Sequence, residues 1–348
     1  MPDPPGASDI LAPLMKAGKL PPALLERLLA RLPSDPRLLL GPGIGRDAAA
    51  IELGNGRVLV AKTDPVTFAT DQIGRYVVHV NANDVACLGA QPLWFLATAL
   101  LPESASPDLA EEIFEQIRAT CEELGIVPVG GHTEITLGLD RPIIAGTMLG
   151  EVEADGLVRP DAAREGDHIV LTKSIAIEGT ALLARDAPDA LRARGVAHDI
   201  IDAAAQLLSR PGISVVREAL AACATGRVHA LHDPTEGGLA TALAELGKAC
   251  GASVLVRRED VPVLDETASI CETLGLDPLG LLASGALLIV TPEDACEGMC
   301  AAVHKEGSGA VCIGEVAPPG GDVIIDERSR APLPRFERDE LARFLDSI

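Results

Sequence analysis

Gly43-Ile44-Gly45-Arg46-Asp47-Ala48-Ala49 is the first of three stretches in which an aspartate lies beside small residues. The other two are Ala61-Lys62-Thr63-Asp64 and Asn81-Ala82-Asn83-Asp84-Val85-Ala86. Carboxylate oxygens are the ligands that Mg²⁺ prefers, and glycines let backbone N–H groups approach phosphates closely. Any one of these stretches, taken alone, is best explained as a capped turn. The three in this order predict a site for a magnesium ion and a nucleotide.

Length and composition indicate two aliphatic domains. The chain has 348 residues, more than one ordinary core organises, so two domains of about 150 residues each are expected. Hydrophobic residues make up 47% of the chain but aromatic residues only 2%, so Ala, Leu, Val and Ile must fill the cores. Too few aromatic side chains remain to build base-stacking platforms.

Charge and cysteine usage narrow the class of protein further. The formal net charge of −22 would repel a phosphodiester backbone and an anionic lipid surface, so we expect no nucleic acid partner and no membrane association. The first residues show no basic region, and no stretch approaches the ~20 apolar residues that span a bilayer. The eight cysteines include no Cys-x-x-Cys pair. Together these features predict a cytoplasmic protein with reduced thiols.

Periodicity and turn signals divide the chain into segments. We predict an extension with one helix at residues 1–40, an N-terminal domain at 41–155, a C-terminal domain at 160–320 and a surface tail at 321–348. Helices are predicted after Pro21, between Asp71 and Gly89, after Ser106 and after Gly237. Strands are predicted at 57–61, 126–129, 143–150, 169–172, 253–256, 286–290 and 311–314. This alternation of strands and helices predicts the α/β (α+β) fold class.

The second half contains one stretch that suggests a ligand. His232-Asp233-Pro234-Thr235-Glu236-Gly237-Gly238 precedes a predicted helix, so Gly237 and Gly238 lie at a helix N-terminus, where anions are favoured. A phosphate or carboxylate could bind there. The alternative is that glycine is needed only for close packing where the helix begins, and for this stretch alone that explanation is the stronger one.

Several familiar site patterns are absent. The sequence has no Gly-x-x-x-x-Gly-Lys-Ser/Thr loop, no Gly-x-Ser-x-Gly elbow and no His-Glu-x-x-His helix. Cys296, Cys300 and His304 recur at helical spacing and could face a zinc ion, but no motif supplies a fourth ligand, so a buried thiol face is the favoured explanation. His79 is likewise best explained as a buried group rather than a base.

The ordered motifs resemble those of the superfamily of aminoimidazole ribonucleotide synthetase (PurM-like), thiamine-monophosphate kinase, selenophosphate synthetase and the hydrogenase maturation factor HypE. That family carries Gly-x-Asp-Asp-Ala-Ala, Thr-Asp, Asn-Asp with Gly-Ala-x-Pro, and Gly-Asp-Thr. The matching positions are Gly45 to Ala49, Thr63-Asp64, Asn83-Asp84 with Gly89-Ala90-Gln91-Pro92, and Gly131-His132-Thr133. Asp233 to Gly238 is similar to the Asp-Pro-Thr-Arg-Gly-Gly of the HypE branch.

The resemblance implies a fold and a set of ligands. It implies an N-terminal α/β domain whose strands form a barrel-like homodimer interface, a C-terminal α/β domain, and a site for ATP and Mg²⁺ in the cleft between them. Asp47, Asp64 and Asp84 would hold the metal, and Lys62 is a candidate phosphate contact. The other implied nucleotide-binding residues are Gly43, Gly45, Thr63, Asn83, Gly130, Gly131, Thr133, Asp233, Gly237 and Gly238.

Departures from the family pattern leave the reaction open. Arg46 and His132 replace two carboxylates, although Glu134 could restore one oxygen ligand by pointing the same way along a strand as His132. The chain also ends Asp346-Ser347-Ile348 where HypE carries a cysteine. The leading hypothesis is therefore an ATP-dependent enzyme that phosphorylates or dehydrates a small carboxamide, carboxylate or phosphate acceptor, with a maturation protein as a possible partner. The alternatives are a thiamine-monophosphate-type kinase and a nucleotide-binding scaffold without turnover.

Overall fold

The computed structural model describes residues 20–67, 69, 71–320 and 324–347. The first 19 residues of the predicted N-terminal extension therefore lie outside the described part. The helices within it are α1 (Pro22–Leu29), α2 (Ile73–Cys87), α3 (Pro107–Leu124), α4 (Ile177–Asp186), α5 (Pro188–Ala193), α6 (His198–Ala205), α7 (Val216–Ala224), α8 (Gly238–Cys250), α9 (Asp265–Leu274), α10 (Cys296–Lys305) and α11 (Glu340–Leu345). The strands are β1 (Leu38–Leu40), β2 (Ala49–Glu52), β3 (Arg57–Val66), β4 (Gln91–Pro102), β5 (Val127–Thr136), β6 (Ile143–Glu153), β7 (His168–Thr172), β8 (Ala230–His232), β9 (Ser253–Val256), β10 (Leu288–Thr291), β11 (Ala310–Ala317) and β12 (Ile324–Asp326).

The strands form two mixed sheets, one in each domain. The sheet of the first domain has the order β1-β2-β3-β6-β4-β5, with β4 and β5 parallel and the other neighbours antiparallel. The sheet of the second domain has the order β12-β9-β11-β7-β10-β8, in which only β12 and β9 are parallel among the described strands. Both sheets carry helices, as the fold class predicted from the sequence requires.

Helix α2 lies between the two domains and is buried along nearly its whole length. It packs against β3 and β6 of the first sheet, and also against α7 and β8 of the second domain. A helix that is covered on every side needs no single apolar stripe, which explains why polar residues such as Asn81, Asn83 and Asp84 are buried on it. The position of α2 brings its C-terminal turn, with Asp84, to the boundary between the domains.

The helix predicted after Ser106 forms as expected. The Ser106 hydroxyl accepts a hydrogen bond from the Leu109 amide at 3.2 Å, and Gly125 ends α3 in the left-handed conformation with φ of 70°. The predicted strands at 253–256 and 169–172 also coincide with β9 and β7 to within a residue. Local capping and strand signals were therefore sufficient in these regions.

The predicted surface tail is wrong for the residues described, which we call the C-terminal segment (residues 324–347). Its strand β12 extends the second sheet beside β9, and Leu333, Leu341 and Phe344 are buried in the core of the second domain. Arg194 lies over the ring of Phe344, 5.6 Å from its centroid. The apolar residues are too irregularly spaced among charges and prolines to show a period, so the sequence alone hid this docking.

Within the described ranges, no helix has the length and apolar content needed to cross a bilayer. Each of the eight cysteines lies in these ranges and is a free thiol.

Candidate active-site cleft between the domains

A cleft of about 670 Å³ separates the two domains. One wall comes from the first domain, where β3 ends and β6 begins, and the opposite wall comes from the second domain and the C-terminal segment. The polar side chains that line it are mostly acidic: Asp64, Asp140, Glu178, Glu236 and Asp339, with Arg141 as a cation among them. The volume is that of a small-molecule site.

Lys62 lies at the centre of the predicted metal ligands. Its Nζ is 2.9 Å from Asp84 Oδ2 and 3.6 Å from Asp64 Oδ2. Strand periodicity places Lys62 and Asp64 on one face of β3, and α2 packs on that face so that Asp84 meets them. Burial alone would lower the pKa of Lys62, but the Asp84 and Asp64 carboxylates outweigh it, so the pKa is raised and the ammonium stays charged.

The second domain adds groups to the same cluster. Asp233 follows β8 and is buried, and one oxygen each from Asp47 and Asp233 and the sulfur of Cys87 all lie within 4.8 Å of one another. His232 Nδ1 lies 3.0 Å from Asp47 Oδ2, while its Nε2 lies 3.1 Å from Glu245 Oε2. Asp47 is thus held against the second domain by His232, the first residue of the glycine-rich stretch, to which the sequence alone assigned no role of its own.

The residues present fit a divalent cation. Asp233 Oδ2 is a buried oxygen without a hydrogen-bond partner, and Asp84 lies in the last turn of α2, where the helix dipole disfavours an anion. Burial raises the pKa of Asp233 to about 6, and the Asp47 carboxylate adds to this effect. Burial likewise raises the pKa of Asp84 well above its usual range, although Lys62 opposes the shift. A cation with oxygen preference, such as Mg²⁺, would relieve this crowding of carboxylates.

Two predicted nucleotide-binding residues have other roles in the structure. Thr63 points away from Lys62 and Asp64 because neighbouring strand residues alternate in direction, and its hydroxyl donates to the Gly146 carbonyl at 2.8 Å. Asn83 is fully buried. Its amide donates to the Ile213 carbonyl and accepts from the Val215 amide, both at 2.9 Å. Thr63 therefore does not face the cluster, and Asn83 joins the two domains.

The predicted residues Gly130, Gly131 and Thr133 lie on the exposed edge strand β5, apart from the cluster. In register, Asp64 pairs with Gly146, Gly146 with Ala97, and Ala97 with Gly131. These residues form one row across four strands, so Gly131 is about 14 Å from Asp64. A Cβ on Gly131, whose φ is 153°, would lie 2.0 Å from the Ala97 carbonyl oxygen, so packing alone accounts for this glycine.

His132 and Glu134 point the same way along β5, as expected, with Nε2 and Oε2 3.0 Å apart. They lie on the same remote strand, so in this chain Glu134 does not replace a ligand of the aspartate cluster. Arg46, at the other departure from the family pattern, also points away from the cluster: its Nη1 donates to the Gly41 carbonyl at 3.0 Å.

The remaining predicted glycines occupy the loops around the cluster. Gly43 and Gly45 precede Asp47, and Gly45 lies near the backbone of Glu245 on α8. Gly237 is the N-cap of α8, and its amide donates to Asp339 Oδ2 at 2.6 Å. The N–H group predicted for a ligand anion is thus engaged by a carboxylate of the C-terminal segment. Gly238 is needed for packing, because a Cβ there would lie 2.4 Å from the Leu279 carbonyl oxygen.

Sequence reasoning missed two acidic residues of the cleft. Glu178 is buried at the start of α4 with Oε2 unpaired, and burial raises its pKa to about 7, assisted by Asp339. Asp339 accepts from the amides of Gly237, Leu282 and Leu341, and burial raises its pKa to about 6. Neither belongs to a local motif, since each is brought to the cleft by packing of a distant segment.

Family models match both halves of the chain. The model described as AIR synthase related protein, N-terminal domain, matches residues 45–152, and that of the C-terminal domain matches residues 164–327. The chain belongs to the AIR synthase related protein family. The resemblance inferred from the sequence motifs, including the HypE-like branch, and the two-domain α/β fold class are thereby confirmed.

Individual relatives agree with this placement. Carbamoyl dehydratase HypE of Cupriavidus necator is 31% identical over 319 residues, covering 84% of this chain and 86% of that protein. Selenide, water dikinase of Paraburkholderia xenovorans is 29% identical over 343 residues, covering 88% and 93%. The structure of hydrogenase maturation protein HypE in complex with ATP superimposes with a TM-score of 0.69 at 28% identity, covering 91% of this chain and 96% of that one. The HypE-HypF complex shares the fold at 21% identity, with a TM-score of 0.69 and coverage of 91% and 99%.

Proposed function

We propose that this family member is an ATP-dependent enzyme of the HypE type that uses Mg²⁺ and acts on a small carboxamide acceptor. The observation that carries the proposal is the convergence of Asp47, Asp64, Asp84 and Asp233, from both domains, around Lys62 beside the cleft. Asp84 and Asp233 are buried, and Asp47 and Asp64 are half-buried. Lys62 and His232, whose pKa is raised because the Asp47 and Glu245 carboxylates outweigh the effect of burial, supply two positive charges, fewer than the carboxylates around them, so a further cation is favoured. The HypE structure in complex with ATP, at 28% identity, supports a nucleotide as the ligand.

The residues of the cluster have different proposed roles in nucleotide binding. Asp47, Asp64 and Asp84 are the proposed metal ligands, and Lys62, held in place by Asp84, is the proposed phosphate contact. When bound, Mg²⁺ would neutralise phosphate charge, which is the main requirement of phosphoryl transfer. The loop that contains Gly43 and Gly45 lies beside Asp47, and we propose that it forms one side of the nucleotide site.

The acceptor side of the cleft favours a neutral amide. Glu178, Glu236 and Asp339 would repel a carboxylate or phosphate, whereas a carboxamide can donate its N–H groups to them. Glu178, with a pKa of about 7, is protonated in a large fraction of molecules at neutral pH and could either donate or accept. This acidic lining argues against a thiamine-monophosphate-type kinase, whose acceptor is an anion.

Calorimetric titration with ATP, with and without Mg²⁺, tests the nucleotide site. We expect Mg²⁺-dependent binding that is lost in Asp84→Asn and kept in the control Asp155→Asn, whose side chain is exposed away from the cleft. Thermal melts would verify that both variants fold. Binding by Asp84→Asn equal to that of the wild type would overturn the metal assignment.

The acceptor is tested by ADP release against a panel of carboxamides, carboxylates and phosphomonoesters. Release with carboxamides alone is the expected result, and release with a phosphomonoester alone would favour the kinase alternative. Arg46 and His132 motivate the alternative of a nucleotide-binding scaffold. Tight Mg-ATP binding with no ADP formed with any compound of the panel would support that alternative.

Assembly is part of the proposal. Strand β5 is an exposed edge strand that carries the exposed apolar side chains of Val127, Val129 and Ile135, and an exposed apolar edge strand is normally covered. We propose that a second copy of this chain covers it. The likeness to a HypE-HypF complex supports the further proposal that a partner maturation protein supplies the acceptor. Copurification with a HypF-type protein would test the partner.

A further inference from the structure

Four metal-binding side chains meet far along the chain from the cleft motifs, between helix α10 and the second sheet. The Sγ atoms of Cys296 and Cys312 and a ring nitrogen of His168 all lie within 4.8 Å of one another. Cys300 lies one helical turn after Cys296, and the two thiols are hydrogen-bonded. We call these four residues the thiol cluster.

The fold builds the thiol cluster from three elements. Cys296 and Cys300, spaced by four residues, share one face of α10, and that helix packs against β11 and β7. In the antiparallel pairing of β7 with β11, Cys312 lies opposite Val170. His168, two residues before Val170, therefore faces the same side of the sheet, toward α10.

The dimensions and ligand types fit zinc. With Zn–S bonds of about 2.3 Å, two thiolates at tetrahedral angles are separated by about 3.8 Å, so the ligand atoms of His168, Cys296 and Cys312, already within 4.8 Å of one another, need only a small contraction. Cys300, hydrogen-bonded to Cys296, would move in as the fourth ligand. Three thiolates and an imidazole also favour a soft ion over Mg²⁺, in contrast to the oxygen-rich cleft. The two sites thus select different metals.

The structure supplies a positive charge that would offset the net charge of such a zinc site. Three thiolates and a neutral imidazole around Zn²⁺ carry a net charge of −1. Arg257 Nη2 lies 3.4 Å from Cys312 Sγ and donates to the Cys312 carbonyl at 2.8 Å. The same guanidinium also pairs with Asp260 and Glu327, at 2.7 and 3.2 Å, which fix its position.

We propose that His168, Cys296, Cys300 and Cys312 bind one zinc ion in a closed structural site that ties α10 to the second sheet. His304, the ligand that helical spacing suggested, is not part of the group of ligand atoms that lie within 4.8 Å of one another, and its Nε2 accepts a hydrogen bond from the Ala310 amide at 3.2 Å. The two missing ligands come instead from β7 and β11. This site goes beyond the proposed enzymatic function and does not rest on it.

Metal analysis of the whole protein tests the proposal. Protein purified under reducing conditions, incubated with zinc and then desalted is expected to retain about one zinc per chain. Cobalt in place of zinc should give the visible bands of a tetrahedral site and a near-ultraviolet thiolate-to-metal charge-transfer band. Cys312→Ser and Cys300→Ser should each weaken metal binding at least about tenfold, while Cys271→Ser, at a buried thiol on α9, should leave it unchanged.

Each result of these metal-binding experiments either supports or overturns the proposed zinc site. Zinc retention with a thiolate-to-cobalt band that Cys312→Ser abolishes supports the site, and His168→Gln should lower affinity in the same direction. If Cys312→Ser fails to fold, the wild-type cobalt spectrum and the half-exposed Cys300 variant still decide the question. Protein that retains no metal, or a Cys271→Ser variant that loses as much metal as Cys312→Ser, would overturn it. So would a Cys296–Cys312 disulfide in metal-free protein from cells.

Discussion

At the scale of single residues, burial of charge dominates the cleft. Lys62 and Asp84 face each other at 2.9 Å with little solvent access, so removal of either partner leaves an uncompensated charge. Asp47, Asp64 and Asp233 extend the same network, which couples both domains to one lysine. Several carboxylates therefore lie close together, at an electrostatic cost, where a metal-bound nucleotide is proposed to bind.

Glu178 gives a prediction with a definite pH dependence. Burial raises its folded-state pKa to about 7, above the ordinary value near 4.5, so the folded protein binds the extra proton between these values. Its unfavourable ionisation therefore costs stability as pH rises through this window. In denaturant titrations, Glu178→Gln should be more stable than the wild type by about 3 kcal/mol above pH 7, and the difference should vanish near pH 4.

The control for Glu178 is Glu236→Gln, a half-buried carboxylate lining the same cleft. It should show no comparable pH-dependent gain. A Glu178→Gln variant that destabilises the protein equally at all pH values would mean that the carboxylate makes a specific structural contact.

Asn83 gives a second residue-scale prediction. Its side chain satisfies the buried amide of Val215 and the buried carbonyl of Ile213, so Asn83→Ala would leave both groups unpaired. At about 1–3 kcal/mol for each unpaired group, the free energy of unfolding should fall by about 3 kcal/mol. Asn55→Ala, in an exposed turn, should change it by no more than about 0.5 kcal/mol. Equal effects of the two substitutions would show that Asn83 does not join the domains.

At the scale of elements, the C-terminal segment is an integral part of the second domain. Asp339 caps the N-terminus of α11 through the Leu341 amide and also holds the Gly237 amide at the start of α8. The segment thereby connects the glycine-rich stretch to the wall of the cleft. Its docking depends on a few buried apolar side chains, including Leu333.

Leu333 tests this docking. Leu333→Ala should lower the free energy of unfolding by about 3 kcal/mol because it opens a cavity in the second core. Leu53→Ala is the matched control, since Leu53 is 46% exposed and should cost little. Chemical unfolding curves give both values. A cost of Leu333→Ala no larger than that of the control would show that the segment lies on the surface after all.

Strand β5 is the element that most clearly needs a partner. Light scattering should show a dimer for the wild type, and Ile135→Lys should shift it to monomer, because a lysine in place of this exposed apolar side chain on β5 would bury an unpaired charge in the interface. Leu53→Lys, at another exposed leucine, should remain dimeric. A monomeric wild type at micromolar concentration would contradict the proposed assembly.

At the scale of the whole molecule, the residues proposed to bind the nucleotide and the acceptor lie where the two domains meet. The aspartate motifs lie in the first domain, whereas Asp233, Glu178 and Asp339 come from the second. Helix α2 packs against strands of both sheets and therefore fixes the position of one domain relative to the other. None of the four residues of the thiol cluster is among those that line the cleft, which agrees with a stabilising rather than a catalytic role.

The sequence by itself determined the family, the fold class and the first-domain aspartates that meet at Lys62, because these depend on local motifs in a fixed order. Capping signals such as Ser106 and Gly125 also located helix ends, since caps act through hydrogen bonds within a few residues. Only the tertiary structure decided which side chains meet across the domains. Asn83 and Thr63 turned to backbone partners, and Glu178 and Asp339 entered the cleft. Burial, charge pairing and cross-strand register act between residues far apart in sequence, so no local pattern records them.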